Sequence, residues 1–393
     1  MFHKGLWYQH VKQTKYILWA FWLVAVYAGF KLYGHAGEVE SNVKYASEHG
    51  STWHYYFGVD LDLISLLQLM LCIGLPAFLV GFRRGNQSLE YTYAMPVKRE
   101  HLFLSQWALG MVHIIGSVTL GVLIQLAVVH TTILSQYIPR TLLGMYYIHQ
   151  LLILSGVFSL SLWLGLVRGS FIAQAAFGVI VLLLPFGLLG MLREVVSLHY
   201  FALGRTDLHE VWFFGQATSF AFENLSFPIK LIDIRRMFSL ATDVAAYGDV
   251  GPPKEYMDYT RQLYFGLWSF LIPVCVTAAS VWGMLRMARA SWNEHNGKLL
   301  LHPRLRPLLT TGVLLCSFLF GGMVVEHMLG RHFYDGNGPQ TTYDVTNLLI
   351  YYAAAIVSMA LAYVIVRRML GMKLLRWTRL KRLQKTLVDR MQI

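Results

Sequence analysis

Residues 61–106 read LDLISLLQLMLCIGLPAFLVGFRRGNQSLEYTYAMPVKREHLFLSQ. From Leu61 to Phe82 the stretch carries one charge, Asp62, and is long enough to cross a bilayer, which takes roughly 20 apolar residues. Arg83 and Arg84 end it. A polar and aromatic connector follows, Pro96 breaks it, and a second apolar run starts at Leu102–Phe103. The alternation of apolar run, charged stop and apolar run decides the fold: the chain crosses a membrane, turns on one face and crosses back.

The same signature recurs along all 393 residues. Eight runs predict spanning helices: 16–33, 61–82, 103–129, 147–167, 170–192, 264–287, 308–328 and 348–369. Arg168-Gly169-Ser170, between the fourth and fifth, reads as a tight turn between two spans or as a kink. Hydrophobic residues make up 56% of the chain and charged ones 14%, against roughly 25% charged in a soluble domain. The fold class is therefore an all-α polytopic membrane protein with about eight transmembrane helices. The N-terminus "MFHKGLWYQHVKQTK" has neither a short apolar core nor a small-residue cleavage site, so no signal peptide is expected. Phe2, Leu6, Trp7 and Val11 fall near helical spacing among lysines, which fits an interfacial helix over residues 1–15 or a frayed tail.

Basic residues set the orientation. With the N-terminus inside, the inner segments hold Lys4, Lys12 and Lys15; Arg83, Arg84, Lys98 and Arg99; Arg168; Arg286, Arg289, Lys298, Arg304 and Arg306; and nine more from Arg367 to Arg390, which is 22 of the 33. The same segments hold only Glu90, Glu100, Glu294 and Asp389 of the 21 acids. Both termini are therefore expected in the cytoplasm. The basic tail, residues 370–393, lies along anionic headgroups or forms a solvated helix. Two outer segments are long, 34–60 and 193–261. The second includes "HEVWFFGQATSFAFENLSFPIKLIDI", whose aromatic content predicts a helix or hairpin at, or dipping into, the outer interface. Residues 290–307 form a cytoplasmic loop.

Several chemistries lack their residues. No G-x-x-x-x-G-K-[ST] occurs, so the chain has no P-loop for ATP. No H-E-x-x-H occurs; His209-Glu210-Val211-Trp212-Phe213 lacks the second histidine that would put two ligands on one helical face. No G-x-S-x-G elbow occurs. The inner loops lack the clustered acids that would hold Mg²⁺ for lipid-phosphate transfer. Cys72, Cys275 and Cys316 all fall in apolar runs and read as small core residues. His113 reads as a satisfied core histidine, and Glu326 with His327 as interfacial. No catalytic or metal-binding residue and no nucleic-acid contact are expected.

That leaves the connector. Gly85 and Asn86 turn the chain, and residues 87–95 can form a short helix with Leu89 and Tyr93 on one side and Glu90 on the other. Pro96 ends it, because it lacks an N–H and biases Met95 away from helix. The string Glu90-Tyr91-Thr92-Tyr93-Ala94-Met95-Pro96-Val97-Lys98-Arg99 resembles the coupling-helix region of type 2 ABC transporter permeases, in which a Glu precedes an apolar residue with Pro and then an Arg. Its place after the second span matches as well, and the resemblance covers roughly residues 1–289. A second string, Ser291, Glu294 and Gly297, resembles a Ser-x-x-Glu-x-x-Gly segment of some permeases of Gram-positive bacteria.

The resemblance implies a type V exporter-like core of six helices over residues 16–289, here followed by two additional helices over 308–369. It implies a bacterial cell membrane and a second permease, identical or paralogous. It also implies separate ATPase subunits that carry ATP and Mg²⁺, so the chain itself is not the enzyme and holds no cofactor. Arg83, Arg84, Glu90, Tyr91, Tyr93, Pro96 and Arg99 would engage the ATPase, with Ser291, Glu294 and Gly297 as a second contact. The apolar and aromatic interior suits export of an amphipathic or lipid-like cargo. Two alternatives stand beside this reading: an integral membrane glycosyl- or lipid-transferase using Glu38, Glu40, Asp60 and Asp62, and a membrane sensor or scaffold.

Overall fold

A computed structural model describes residues 4–51, 53, 55–83, 97–167, 171–203, 214–242, 254–290, 306–329 and 345–391. Among them there is no strand. The helices are α1 Lys4–Glu48, α2 Leu61–Pro76 continued by a π-helical turn Ala77–Phe82, α3 Arg99–Thr131, α4 Arg140–Val167 and α5 Phe171–Ala202. Then come α6 Gln216–Leu225, α7 Phe227–Ile232, α8 Arg235–Thr242, α9 Lys254–Phe265, α10 Leu267–Ala290, α11 Arg306–Leu329 and α12 Val345–Met391. Among the described residues, eight helical stretches are long and apolar enough to cross a membrane, and they overlay the eight expected spans. Large apolar side chains stay exposed in mid-span, such as Leu23 (67%), Met70 (60%) and Leu361 (60%), as a lipid-facing surface requires.

The N-terminal expectation is replaced by something simpler. A single helix runs from Lys4 to Glu48, with no break at residue 15 and none at the start of the outer segment. At 1.5 Å per residue it is about 68 Å long, against a hydrocarbon core of roughly 30 Å. The cause is one buried stripe: Leu6, His10, Thr14, Leu18, Phe21, Ala25, Ala28, Leu32, Ala36, Val39 and Ala46 follow one another at spacings of three, four or seven. Residues 53–59 cover its far end. Tyr55 stacks on Tyr137 at 4.5 Å, and Phe57 stacks on Phe238 at 4.3 Å. The last span likewise continues without interruption into the basic tail as α12. Residues 168–170, the fourth-to-fifth junction, lie outside the described residues.

Contacts divide the chain into two compact units, Met1–Phe186 with Ser219–Gly297, and Gly187–Thr218 with Lys298–Ile393. One division falls inside α5, beside Pro185, and another falls at Gly297, after the sixth span. Within the first unit α1 packs along α3, and α4 packs on α10, α2 and α3. Small residues allow the closest approaches: Ala25 meets Gly121, and a Cβ at Gly29 would lie 2.3 Å from Ile124 Cγ2. Gly29→Val is therefore expected to destabilise the unit by about 1–3 kcal/mol through overpacking, read as a lowered thermal midpoint in detergent.

Candidate functional sites at the two ends of the first unit

At the end bearing Arg83, three helices meet around a buried histidine. The Arg83 side chain is 1% exposed and donates from Nη1 to His10 Nδ1 at 3.4 Å. Ser105 Oγ donates to Leu102 O at 2.7 Å and lies 3.3 Å from His10 Nε2. The serine proton is committed to a carbonyl, so its oxygen accepts from His10, which fixes the neutral tautomer protonated at Nε2. A directed chain therefore runs from α2 through α1 to α3. One turn earlier on α3, Glu100 accepts two hydrogen bonds from Arg289 of α10, at 2.8 and 3.1 Å. The pair is partly solvated, so it fixes geometry more than it adds stability.

These fastenings bracket the connector. Arg83 is the last described residue before it, and Arg99, half-buried, is the first residue of α3 after it. Of the other expected coupling residues, Arg84, Glu90, Tyr91, Tyr93 and Pro96 lie outside the described residues, as do Ser291, Glu294 and Gly297. Arg289, which grips Glu100, stands two residues before Ser291. The sequence reading missed His10, Ser105 and the Glu100–Arg289 pair, whose partners lie 73, 95 and 189 residues apart.

The opposite end is built from described residues of 219–242 and 254–265. The α6–α7 corner reaches mid-span. Ser226 Oγ accepts from Phe186 N at 2.8 Å, just past Pro185 in α5, and the Phe227 ring lies 3.2 Å from where a Cβ of Gly156 would stand, midway along α4. The expected outer hairpin is thus inserted between spans. Its anchor is Lys230 on α7, 2% exposed, whose Nζ donates to Asn224 Oδ1, to Leu263 O at 3.3 Å and to Ser269 Oγ at 3.2 Å. Burial pushes the Lys230 pKa down to about 7, against the pull of Glu223. Burial raises the Glu223 carboxyl, and Arg236, 3.8 Å away, opposes the rise. Arg236 also pairs with Asp233 at 2.5 Å, and Tyr264 OH donates to Asp233 O at 2.7 Å.

A buried polar ladder lies beside this anchor. Gln150 Nε2 donates to Gln68 Oε1 at 2.6 Å and to Tyr146 OH at 3.1 Å, tying α4 to α2, while the His149 ring stacks on Phe270 at 4.8 Å. The cavity lined by Gln125, Tyr146, Phe57 and Phe238 measures about 10 Å³, room for one water.

The acids of the transferase alternative, Glu38, Glu40, Asp60 and Asp62, are all exposed. Asp60 caps α2, accepting from Leu63 N at 3.3 Å. Glu38 is exposed on α1 and lies 3.7 Å from His35, and Glu40 is exposed on the same helix. His113 contacts Leu109 O at 2.9 Å and meets the edge of Trp22.

Comparison of the chain with family models, curated proteins and solved structures finds no match.

Proposed function

We propose that this chain is the membrane-spanning permease subunit of an ATP-driven transporter of the type 2 ABC class. In this reading it pairs with a second permease in a bacterial cell membrane, and separate ATPase subunits dock on the connector between α2 and α3 from the cytoplasm. The observation that carries the reading is the fastening of both ends of the connector. Arg83 is tied through His10 to Ser105, and Glu100 is tied to Arg289, so the residues on either side of the connector link α1, α2, α3 and α10. A segment held this way passes an applied displacement into helix tilt instead of absorbing it. The string from Glu90 to Arg99 supplies the resemblance, and the apolar interior suits an amphipathic or lipid-like cargo moving outward. ATP and Mg²⁺ belong to the partner subunit, since the chain has no P-loop.

The test is ATP hydrolysis by the complex that co-purifies with the full chain. Glu90→Arg is expected to abolish cargo-stimulated hydrolysis while the amount of chain in the membrane stays unchanged; normal hydrolysis, or a chain that purifies without any ATPase, sinks the reading. A charge swap probes the fastening. Glu100→Arg and Arg289→Glu are each expected to reduce coupling, and the double exchange to restore part of it, because the two residues act as one pair.

A further inference from the structure

The second unit holds a cluster that the transport reading does not use. Glu194 stands on α5, and Glu326 and His327 stand near the end of α11. One donor atom from each lies within 4.8 Å of the other two. The Glu326 side chain is fully buried, its Oε2 lies 3.4 Å from His327 Nδ1, and the His327 side chain is 60% exposed. Glu194 Oε1 is buried and has no hydrogen-bond partner among the described residues. Two carboxylates this close, one of them fully buried, form a strongly negative pocket that attracts a cation.

We propose that Glu194, Glu326 and His327 form a binding site for a divalent transition-metal ion of the zinc or manganese class. Two carboxylate oxygens and one imidazole nitrogen suit such ions; Ca²⁺ takes six to eight oxygens, and Mg²⁺ holds to oxygen and water. Metal–ligand distances of about 2.0–2.2 Å put any two ligands within about 4.4 Å of each other. The site therefore closes by a small movement, which the exposed His327 ring can supply. Neighbouring groups hold the frame. His199, one turn beyond Glu194, gives its Nδ1 proton to Val195 O at 2.7 Å, so its Nε2 accepts from Tyr352 OH at 2.9 Å. Tyr351 of α12 donates to Leu319 O of α11 at 3.2 Å. Three protein ligands leave at least one position for water. A bound ion pins α5 to α11, and His327 is its side of entry.

The test uses the full chain, without an affinity tag, stripped with chelator and dialysed against Zn²⁺ or Mn²⁺, with Ca²⁺ and Mg²⁺ as controls. Elemental analysis and calorimetry are expected to find about one ion per chain. Glu194→Gln, Glu326→Gln and His327→Asn are each expected to weaken binding at least about tenfold and to remove the metal-induced rise in melting temperature. His327 is exposed, so its variant keeps the test valid if a buried glutamate variant fails to fold. A wild-type chain that takes up no ion, or variants that bind as tightly as wild type, overturns the proposal. So does a wild type without metal uptake whose Glu326→Gln variant melts higher, the signature of a shared proton.

Discussion

Replacing Lys230 with alanine is expected to cost the first unit about 3 kcal/mol or more. The ammonium has three N–H donors, and the structure gives it three acceptors on three different stretches: Asn224 Oδ1, Leu263 O and Ser269 Oγ. Removing the amine leaves these acceptors buried and unserved, and it opens a void between α6, α7 and the α9–α10 junction. Lys230→Met keeps most of the volume and is expected to cost less, about 1–3 kcal/mol. Both are read from thermal unfolding in detergent. The inserted corner at Ser226 is expected to loosen, measurable as faster amide exchange at Phe186, whose N–H that serine accepts.

The same lysine fixes a pH dependence with a definite sign. Its folded pKa lies near 7, below the ordinary lysine value of 10.5. Between those values the unfolded chain binds the extra proton and the folded chain does not, so stability rises with pH from about 7 to about 10.5 and is flat below 7. Glu223 works in another window. Its folded pKa is raised above 4.5, so the stability it contributes is fully present below that value and is lost as pH rises through the folded pKa. Lys230→Met is expected to remove the alkaline rise and leave the acidic effect in place. A Met variant that keeps the alkaline rise would locate the titrating group elsewhere.

Hydropathy made the eight crossings legible because lipid, unlike water, demands about twenty apolar residues in a row. It made the ends of α1 illegible for the same reason. Residues 34–48 are too polar to span, and yet Leu32, Ala36, Val39 and Ala46 continue the buried stripe of the spanning part. Periodicity, not mean hydropathy, carried that information. Lys230 left a trace as well: it is a single cation in Phe227-Pro228-Ile229-Lys230-Leu231-Ile232, a run too short to span and too apolar for a solvated loop. Arg83, His10 and Ser105 left none, because nothing in their neighbourhoods encodes a contact between residues up to 95 apart. The Glu194 cluster was hidden in the same way. Glu326 and His327 read as ordinary interfacial residues until α5 brings a second carboxylate to them.

Gly110→Leu is expected to be among the strongly destabilising changes in the core of the first unit. A Cβ on Gly110 of α3 would lie 2.0 Å from Cζ of Phe158 on α4 and 2.6 Å from both ring Cε atoms. Phe158 is fully buried in the same core cluster as Leu154, Leu162 and Ile114, so its ring can withdraw only by displacing packed side chains. The variant should lose about 3 kcal/mol or more, the upper range for overpacking. Phe158→Ala should lose about 3–5 kcal/mol through the opposite defect, a cavity. The two defects are complementary in shape, so combining them should recover roughly 1–3 kcal/mol relative to the sum of the single losses. The position bears on the proposed lever too. Gly110 lies eleven residues past Arg99, about 16 Å along α3, where a ring of α4 packs against that helix. If rescue occurs, the ring alone sets how near the two helices can come. A double variant as unstable as the summed singles would instead place the constraint in the backbone path of α3, which Glu100–Arg289 fixes at one end and the packing of Gly121 against Ala25 fixes further along.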